Sequence, residues 1–278
     1  MKTWFITGCS SGIGRGIAKA VLENGDQAII TARNINTLKE LVDEFPTTAF
    51  ALHLDITQNE SIKKAVEGAL QHFKSIDVLV NNAGYGYRSS VEEGNVDDVK
   101  VLFDTNFFGP VELIKAILPS MRHNKKGTII NVSSIAGVRS AAGSGYYAAS
   151  KAALELMSDG LSKEVKPLGI DVMIVEPGAF RTRFYDSSLK GTEKKIDDYS
   201  ETTGKARKEN VVNLENQPGD PNKAGKVLVQ LVEKGNLPLR LLLGSDAVKL
   251  IENELENRLI ELRSNKSMSL LTDYTKEE

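Results

Sequence analysis

Short apolar runs alternate with longer amphipathic stretches through the first two thirds of the chain. WFIT (4–7), QAIIT (27–31), AFALHL (49–54), DVLVN (77–81), TIINVS (128–133) and DVMIVE (171–176) have the lengths and residue types of six strands. Between them, GRGIAKAVLENG and TLKELVDEF place apolar residues three and four apart, as a helix with one buried face requires, and Gly25 suits the C-terminal cap of the first. Strand, helix, strand repeated in this way implies right-handed crossovers and a parallel sheet covered on both faces. The expected fold class is α/β: a Rossmann-type doubly wound parallel sheet of about seven strands with helices on both faces.

Two longer helical stretches, 97–123 and 146–165, interrupt this rhythm. The first contains Pro110 and Pro119, so a kink or break is expected in it. From 180 to about 220 the chain turns polar and charge-rich, which predicts a mobile lid or an irregular insertion. Order resumes with a helix from Pro221 to Lys234, a seventh strand in LRLLLG and an amphipathic stretch over 246–263. No linker or repeat divides the chain. A single domain over 1–265 and a disordered tail over 266–278 are expected.

Composition narrows the classes of function. A net charge of −2 with 26% charged and 41% hydrophobic residues gives no reason to expect nucleic acid or an anionic membrane as partner. Cys9 is the one cysteine, and His53, His72 and His123 lie far apart, so neither a disulfide nor a metal site is expected. The N-terminus enters a strand-like run within two residues and no apolar run approaches a membrane span. The expectation is a soluble, cytoplasmic protein.

The first strand runs into TGCSSGIG (7–14) and then a helix. Gly8, Gly12 and Gly14 allow a tight turn, close backbone approach to a pyrophosphate and close helix packing, while the helix N-terminus offers free N–H groups. After the second strand stand Thr31, Ala32 and Arg33, with no carboxylate to hold ribose hydroxyls. Arg33 there, with Ser10 or Ser11 adding hydroxyl donors, suits a 2′-phosphate and favours NADP(H) over NAD(H); the alternative is a solvated surface arginine.

The order TGxxxGxG, rather than GxGxxG, resembles the glycine motif of the short-chain dehydrogenases/reductases, in their single-domain branch. The resemblance extends over residues 2–182 and implies roles for residues that carry little signal alone. Asp55 and Ile56 in LDIT would contact the adenine, Asn82, Ala83 and Gly84 in NNAG would run beside its ribose, and Ile13 belongs to the phosphate turn. The asparagines could equally brace neighbouring strands. Pro177, Gly178 and Thr182 in PGAFRT would line the nicotinamide side.

YxxxK alone is a chance-level pattern. On a helix starting near 146, however, Tyr147 and Lys151 share one face a turn apart, whereas Tyr146 does not share that register. A nearby ammonium lowers the pKa of a phenol, which titrates near 10 in water. Ser134 ends the strand TIINV thirteen residues earlier; alone, a Ser-Ser there is a turn or a cap. By resemblance Ser134 polarises the substrate carbonyl, Ser133 touches the cofactor, Tyr147 transfers the proton, Lys151 holds the nicotinamide ribose, and Asn106 holds a water leading to Lys151; by themselves Tyr147 and Lys151 could be a half-buried tyrosine and a surface lysine, and Asn106 could simply tolerate the kink. The resemblance thus implies an NADP(H)-dependent oxidoreductase for a small-molecule carbonyl or alcohol, a homodimer or homotetramer associating through the two long helices. The segment PLRLLLGSDA, with TARN and QPGDP, resembles the 17β-hydroxysteroid and retinol dehydrogenase branch, and Phe180, Phe184 and Tyr185 at the lid either line an apolar pocket or pack the lid onto the sheet. The alternatives are an alcohol dehydrogenase for small aliphatic alcohols and a non-catalytic NADP(H) sensor.

Overall fold

A computed structural model describes residues 1–184, 188–208 and 217–274. Seven strands form one parallel sheet: β1 Thr3–Ile6, β2 Gln27–Ala32, β3 Ala49–His53, β4 Val78–Asn81, β6 Gly127–Val132, β7 Ile170–Pro177 and β9 Arg240–Leu243. Two short strands, β5 (Gly86–Arg88) and β8 (Leu189–Gly191), lie outside it. All seven expected strands are present, with ends moved by a residue or two. Their spatial order is β3-β2-β1-β4-β6-β7-β9. The winding therefore reverses between β1 and β4, where the loops leaving the carboxyl ends diverge and open a crevice.

Consecutive strand residues supply opposite faces. Trp4, Ile6, Ile30, Val80, Ile130 and Val175 pack with α1 (Gly12–Glu23) and α7 (Pro221–Lys234). Phe5, Ile29, Leu79, Ile129 and Val172 pack with α3 (Asn59–Phe73), α5 (Gly109–Asn124) and α6 (Gly145–Val165). Burial on both sides is why these strands read as unbroken apolar runs rather than as alternation. Helices α2 (Lys39–Glu44), α4 (Val96–Phe103) and α8 (Ser245–Ser269) complete the set.

The first long stretch is not broken at its prolines. Helix α4 passes into a π turn, Asp104–Phe108, and on into α5, whose first turn holds Pro110 and whose interior accommodates Pro119. A proline in a first turn loses no bond within its own helix. Pro110 nevertheless has no N–H to offer the Asn106 carbonyl four residues back, which is a local reason for the distortion. A second difference lies at the C-terminus. Residues 266–269, expected in a disordered tail, continue α8, a segment rich in Glu, Lys, Arg and Leu with a Glu254–Arg258 pair one turn apart; 275–278 lie outside the described residues.

The described residues of the expected lid, 180–184, 188–208 and 217–220, are irregular but tied down, while 185–187 and 209–216 lie outside the described residues. Strand β5 pairs in parallel with β8. Beyond it, Thr192 Oγ1 donates to Glu93 O at 2.8 Å and Tyr199 OH to Glu92 Oε2 at 2.8 Å. Ile196 N donates to Glu93 Oε1 at 2.8 Å, and Arg207 forms an ion pair with the same carboxylate. Burial pushes the Glu93 carboxyl up, but hydrogen bonds from Ile196, Ser90 and Arg207 outweigh it and hold it at about 2, below the usual 4.5. A depressed carboxylate stabilises the fold above its unfolded pKa, and that contribution is lost as pH falls towards the folded value. Glu93→Gln is expected to be less stable than the parent at pH 7. In urea unfolding across a pH series, the gap should be constant above about pH 5 and close between about 4.5 and 2.

Candidate active site

The phosphate turn is built by sterics. Gly8 (φ +74°) and Gly12 (φ +61°) adopt the left-handed region, and a Cβ on Gly14 would run into Gly8 O and Asn82 Nδ2. Thr7 holds the turn against β4: its Oγ1 accepts from Asn82 N and Ala83 N, both at 2.9 Å, and Asn82 Nδ2 donates to Thr7 O at 2.9 Å. Asn82 thus braces strands, while Ala83 and Gly84 extend from the same joint. Ser11 caps α1 in extended backbone without using its side chain, Ser10 is exposed, and Ile13 is half-buried. A Cβ on Gly12 would lie 3.3 Å from Thr182, so the loop after β7 faces the phosphate turn.

The adenine end is more mixed. Asp55 Oδ1 accepts from Thr57 N at 3.0 Å and Thr57 Oγ1 at 2.8 Å, shaping the turn after β3. Ile56 is buried in the core with α3 and α5. Arg33 is exposed, and among the described residues no hydrogen bond or ion pair holds it. By contrast Arg15 is bound to Glu40 and Thr37 O. The glycine cradle and the open first turn of α1 fit the pyrophosphate of a nicotinamide dinucleotide. At the end of β7, Gly178 N donates to Leu243 O at 2.9 Å and Ala179 N to Asp246 Oδ2 at 2.7 Å, which fixes the path after Pro177.

Helix α6 presents Tyr147 and Lys151, both buried, one turn apart. Lys151 Nζ donates to Val132 O at the end of β6 at 2.9 Å. Burial lowers its pKa from 10.5 to about 8, with the Glu155 charge opposing. Asn106, fully buried in the π turn, brackets the backbone of Tyr85: Oδ1 accepts from Tyr85 N at 3.1 Å, and Nδ2 donates to Tyr85 O at 3.0 Å and Ser150 Oγ at 3.1 Å. A Cβ on Gly84 would lie 3.0 Å from Asn106 Oδ1 and 3.4 Å from Lys151 Nζ, so three expected site residues converge there. Ser134 follows the same β6 strand by two residues and caps a 3-10 turn (Ile135–Gly137), its Oγ accepting from Ala136 N at 3.1 Å. That contact leaves its own O–H to donate. Ser133, expected at the cofactor, instead gives its hydroxyl to Glu155 Oε1 at 2.5 Å.

The aromatic residues divide. Phe184 lies 5.8 Å from the Tyr147 ring in an apolar cluster with Tyr87 and Leu102, whereas Phe180 is buried in the α1–α7 core. Tyr185 lies outside the described residues. Tyr146 OH donates to Val91 O at 2.8 Å, a structural tie to the loop after β5. Sequence reasoning missed Thr7 and Ser150, whose Oγ accepts from Asn106 and donates to Tyr147 O at 2.7 Å. Their signal is position: each abuts a motif residue, at Gly8 and at Lys151.

A doubly wound sheet with a phosphate turn and a buried Tyr–Lys pair at its carboxyl ends defines a nicotinamide-dinucleotide oxidoreductase class. The short chain dehydrogenase family model matches residues 2–193, and the chain belongs to that family. It is 37% identical to oxidoreductase BOA17 of Botryotinia fuckeliana, over 89% of this chain and 90% of that one. It is 36% identical to the 3-ketodihydrosphingosine reductase of Bacteroides thetaiotaomicron, over 86% of each. A short-chain dehydrogenase from Streptomyces avermitilis superposes with a TM-score of 0.91 at 40% identity, over 98% of this chain and all of that one. Among solved structures of this fold, an alcohol dehydrogenase from Thermococcus sibiricus (TM-score 0.70, 26% identity, 87% of this chain and 96% of that one) is complexed with 5-hydroxy-NADP. A short chain dehydrogenase/reductase from Burkholderia phymatum (TM-score 0.81, 20% identity, 94% and 95%) is complexed with NAD. Asn106→Ala would strip partners from Tyr85 N, Tyr85 O and Ser150 Oγ. Urea unfolding is expected to show a loss of about 1–3 kcal/mol, the cost of leaving a buried polar group unpaired.

Proposed function

We propose that the protein is an NADP(H)-dependent oxidoreductase that reversibly interconverts a fairly apolar ketone or aldehyde and its alcohol. The observation that carries this reading is Lys151, a buried ammonium one helical turn from buried Tyr147, tied to the end of β6 beside the phosphate turn. When bound, the nicotinamide supplies or accepts the hydride. Ser134 donates a hydrogen bond to the substrate oxygen, and Tyr147 gives that oxygen its proton as negative charge develops. Lys151 favours the phenolate left behind and offers its remaining N–H groups to the cofactor ribose. Asn106 enters this relay by its backbone. Its side chain is spent on Tyr85 and Ser150, and its carbonyl lacks the helical donor that Pro110 cannot provide, so that carbonyl is the place for a water leading to Lys151.

Supporting an apolar substrate are Tyr87, Leu102 and Phe184 beside Tyr147, and supporting a ketone is the name of the Bacteroides relative, a 3-ketodihydrosphingosine reductase. For the 2′-phosphate, Arg33 supplies an unpaired cation and no acid stands in its place. Val101, Phe108 and Leu156, exposed on α4, the π turn and α6, support self-association through the long helices.

Tyr147→Phe is expected to abolish reduction in a ketone and aldehyde panel followed by NADPH oxidation, with NADPH affinity by fluorescence titration nearly unchanged; brisk turnover in that variant contradicts the mechanism. Arg33→Ser is expected to weaken NADPH binding about ten- to a hundredfold, the value of a charge-assisted hydrogen bond, and to leave NADH binding as it was.

A further inference from the structure

The segments QPGDP (217–221) and GSDA (244–247) lie beyond the residues that the family model matches, and the hydride reaction as described uses neither. Both meet the loop that leaves β7. Asp246, in the first turn of α8, accepts from Ala179 N through Oδ2 at 2.7 Å, while its Oδ1 is buried with no hydrogen-bond partner among the described residues. A Cβ on Gly178 would stand 2.5 Å from both carboxylate oxygens, so this glycine leaves free the room that the carboxylate fills. From QPGDP, Gly219 takes the opposite end of the same loop residue: Gly219 N donates to Ala179 O at 3.0 Å, and Arg181 N donates to Gly219 O at 2.9 Å.

An acid in the first turn of a helix ordinarily serves that helix's own free N–H groups. Here one oxygen goes to a residue 67 positions away and the other has no partner. Ala179 therefore has both backbone groups fixed, its N–H by Asp246 and its carbonyl by Gly219, and the ring of Phe180 beside it is anchored in the core. Two residues further on, Thr182 lies 3.3 Å from where a Cβ on Gly12 would stand, so the loop runs from the end of β7 to the phosphate turn. In the sheet, β7 lies on the same side of β1 as β6, to which Lys151 is tied, and β2, which leads to Arg33, lies on the other. A dinucleotide with its pyrophosphate at the turn thus meets this loop with its nicotinamide half and Arg33 with its adenosine half.

We propose that Asp246 is a positioning residue for the nicotinamide half of the cofactor: it holds Ala179, and with it the loop over 177–182, in the conformation that receives that half, with Gly219 as the opposing backbone contact. The inference rests on the nicotinamide-dinucleotide reading of the crevice. Asp246 acts through the loop, because the oxygen not bonded to Ala179 is buried.

The test compares calorimetric titrations of NADPH and of 2′,5′-ADP, which has the adenosine half and no nicotinamide. Asp246→Ala should weaken NADPH binding by about tenfold or more, the loss of one hydrogen bond, and leave 2′,5′-ADP binding within about twofold of the parent. Asp246→Asn, whose amide keeps an acceptor oxygen, should recover most of the loss. NADPH affinity unchanged in Asp246→Ala overturns the inference, and so does an equal loss for both ligands, which marks general damage to the fold. Should Asp246→Ala fail to fold, Gly178→Ala takes its place, since its methyl group would displace the carboxylate; unmoved NADPH affinity there overturns the inference as well. If the parent takes NADH instead, NADH and 5′-AMP replace the two ligands. A parent that binds neither dinucleotide refutes the reading beneath and the inference with it, whereas a parent that binds one with Asp246→Ala unmoved refutes the role of Asp246 alone.

Discussion

The site depends on one joint, the hydroxyl of Thr7 where β1 and β4 part. Its oxygen receives two successive N–H groups, Asn82 and Ala83, and its hydrogen goes to Val80 O at 3.3 Å. Asn82 closes the loop by returning its amide to Thr7 O and, at 3.3 Å, to Gly8 O. Diverging strand ends leave backbone groups without ladder partners, and buried groups of that kind are expensive. A single threonine and a single asparagine satisfy them. The glycine turn on one side and Gly84 on the other are consequently held in fixed relation, and the crevice between them keeps its shape.

Helix α6 is tied to this frame by polar contacts as well as by packing. Asn81 Nδ2 donates to Asn131 Oδ1 at 2.8 Å, Asn131 Nδ2 to Ser158 Oγ at 2.7 Å, and Ser158 Oγ to Leu154 O at 2.6 Å, a buried chain running from β4 through β6 into the helix. Higher up, Ser150 joins the same helix to Asn106. Asn81 Oδ1 is left without a partner, but the remaining members are bonded in series, so a slip of the helix would strand further buried polar atoms. Tyr147 and Lys151 therefore ride on a helix whose height and rotation are set from two sides.

The central sheet was legible because strands buried on both faces must be apolar throughout, and the Tyr–Lys pair because it falls in chain order after Ser134 and the phosphate turn. Other features leave no such trace. Strands β5 and β8 are three residues each and about a hundred apart, too short for any periodicity. The clasp between Glu93 and Arg207 joins residues 114 apart, each an ordinary surface charge by sequence until burial makes the pairing compulsory. Ser133 and Phe180 show the opposite limit: a hydroxyl or a ring next to a motif is also free to serve the core, and here both do.

The π turn at Asp104–Phe108 has a geometrical consequence. It carries an extra residue in one turn, and each residue of an α-helix advances its side chains by about 100°. Removing one residue would mend the hydrogen bonding, yet it would rotate everything beyond by that angle. Leu113, Ile117 and Met121, all fully or nearly fully buried, would then swing away from the sheet. The irregularity is thus a phase correction between the lid-facing half of the long helix and its sheet-facing half. A chain that lost it would have to exchange the apolar face of α5 for a new one.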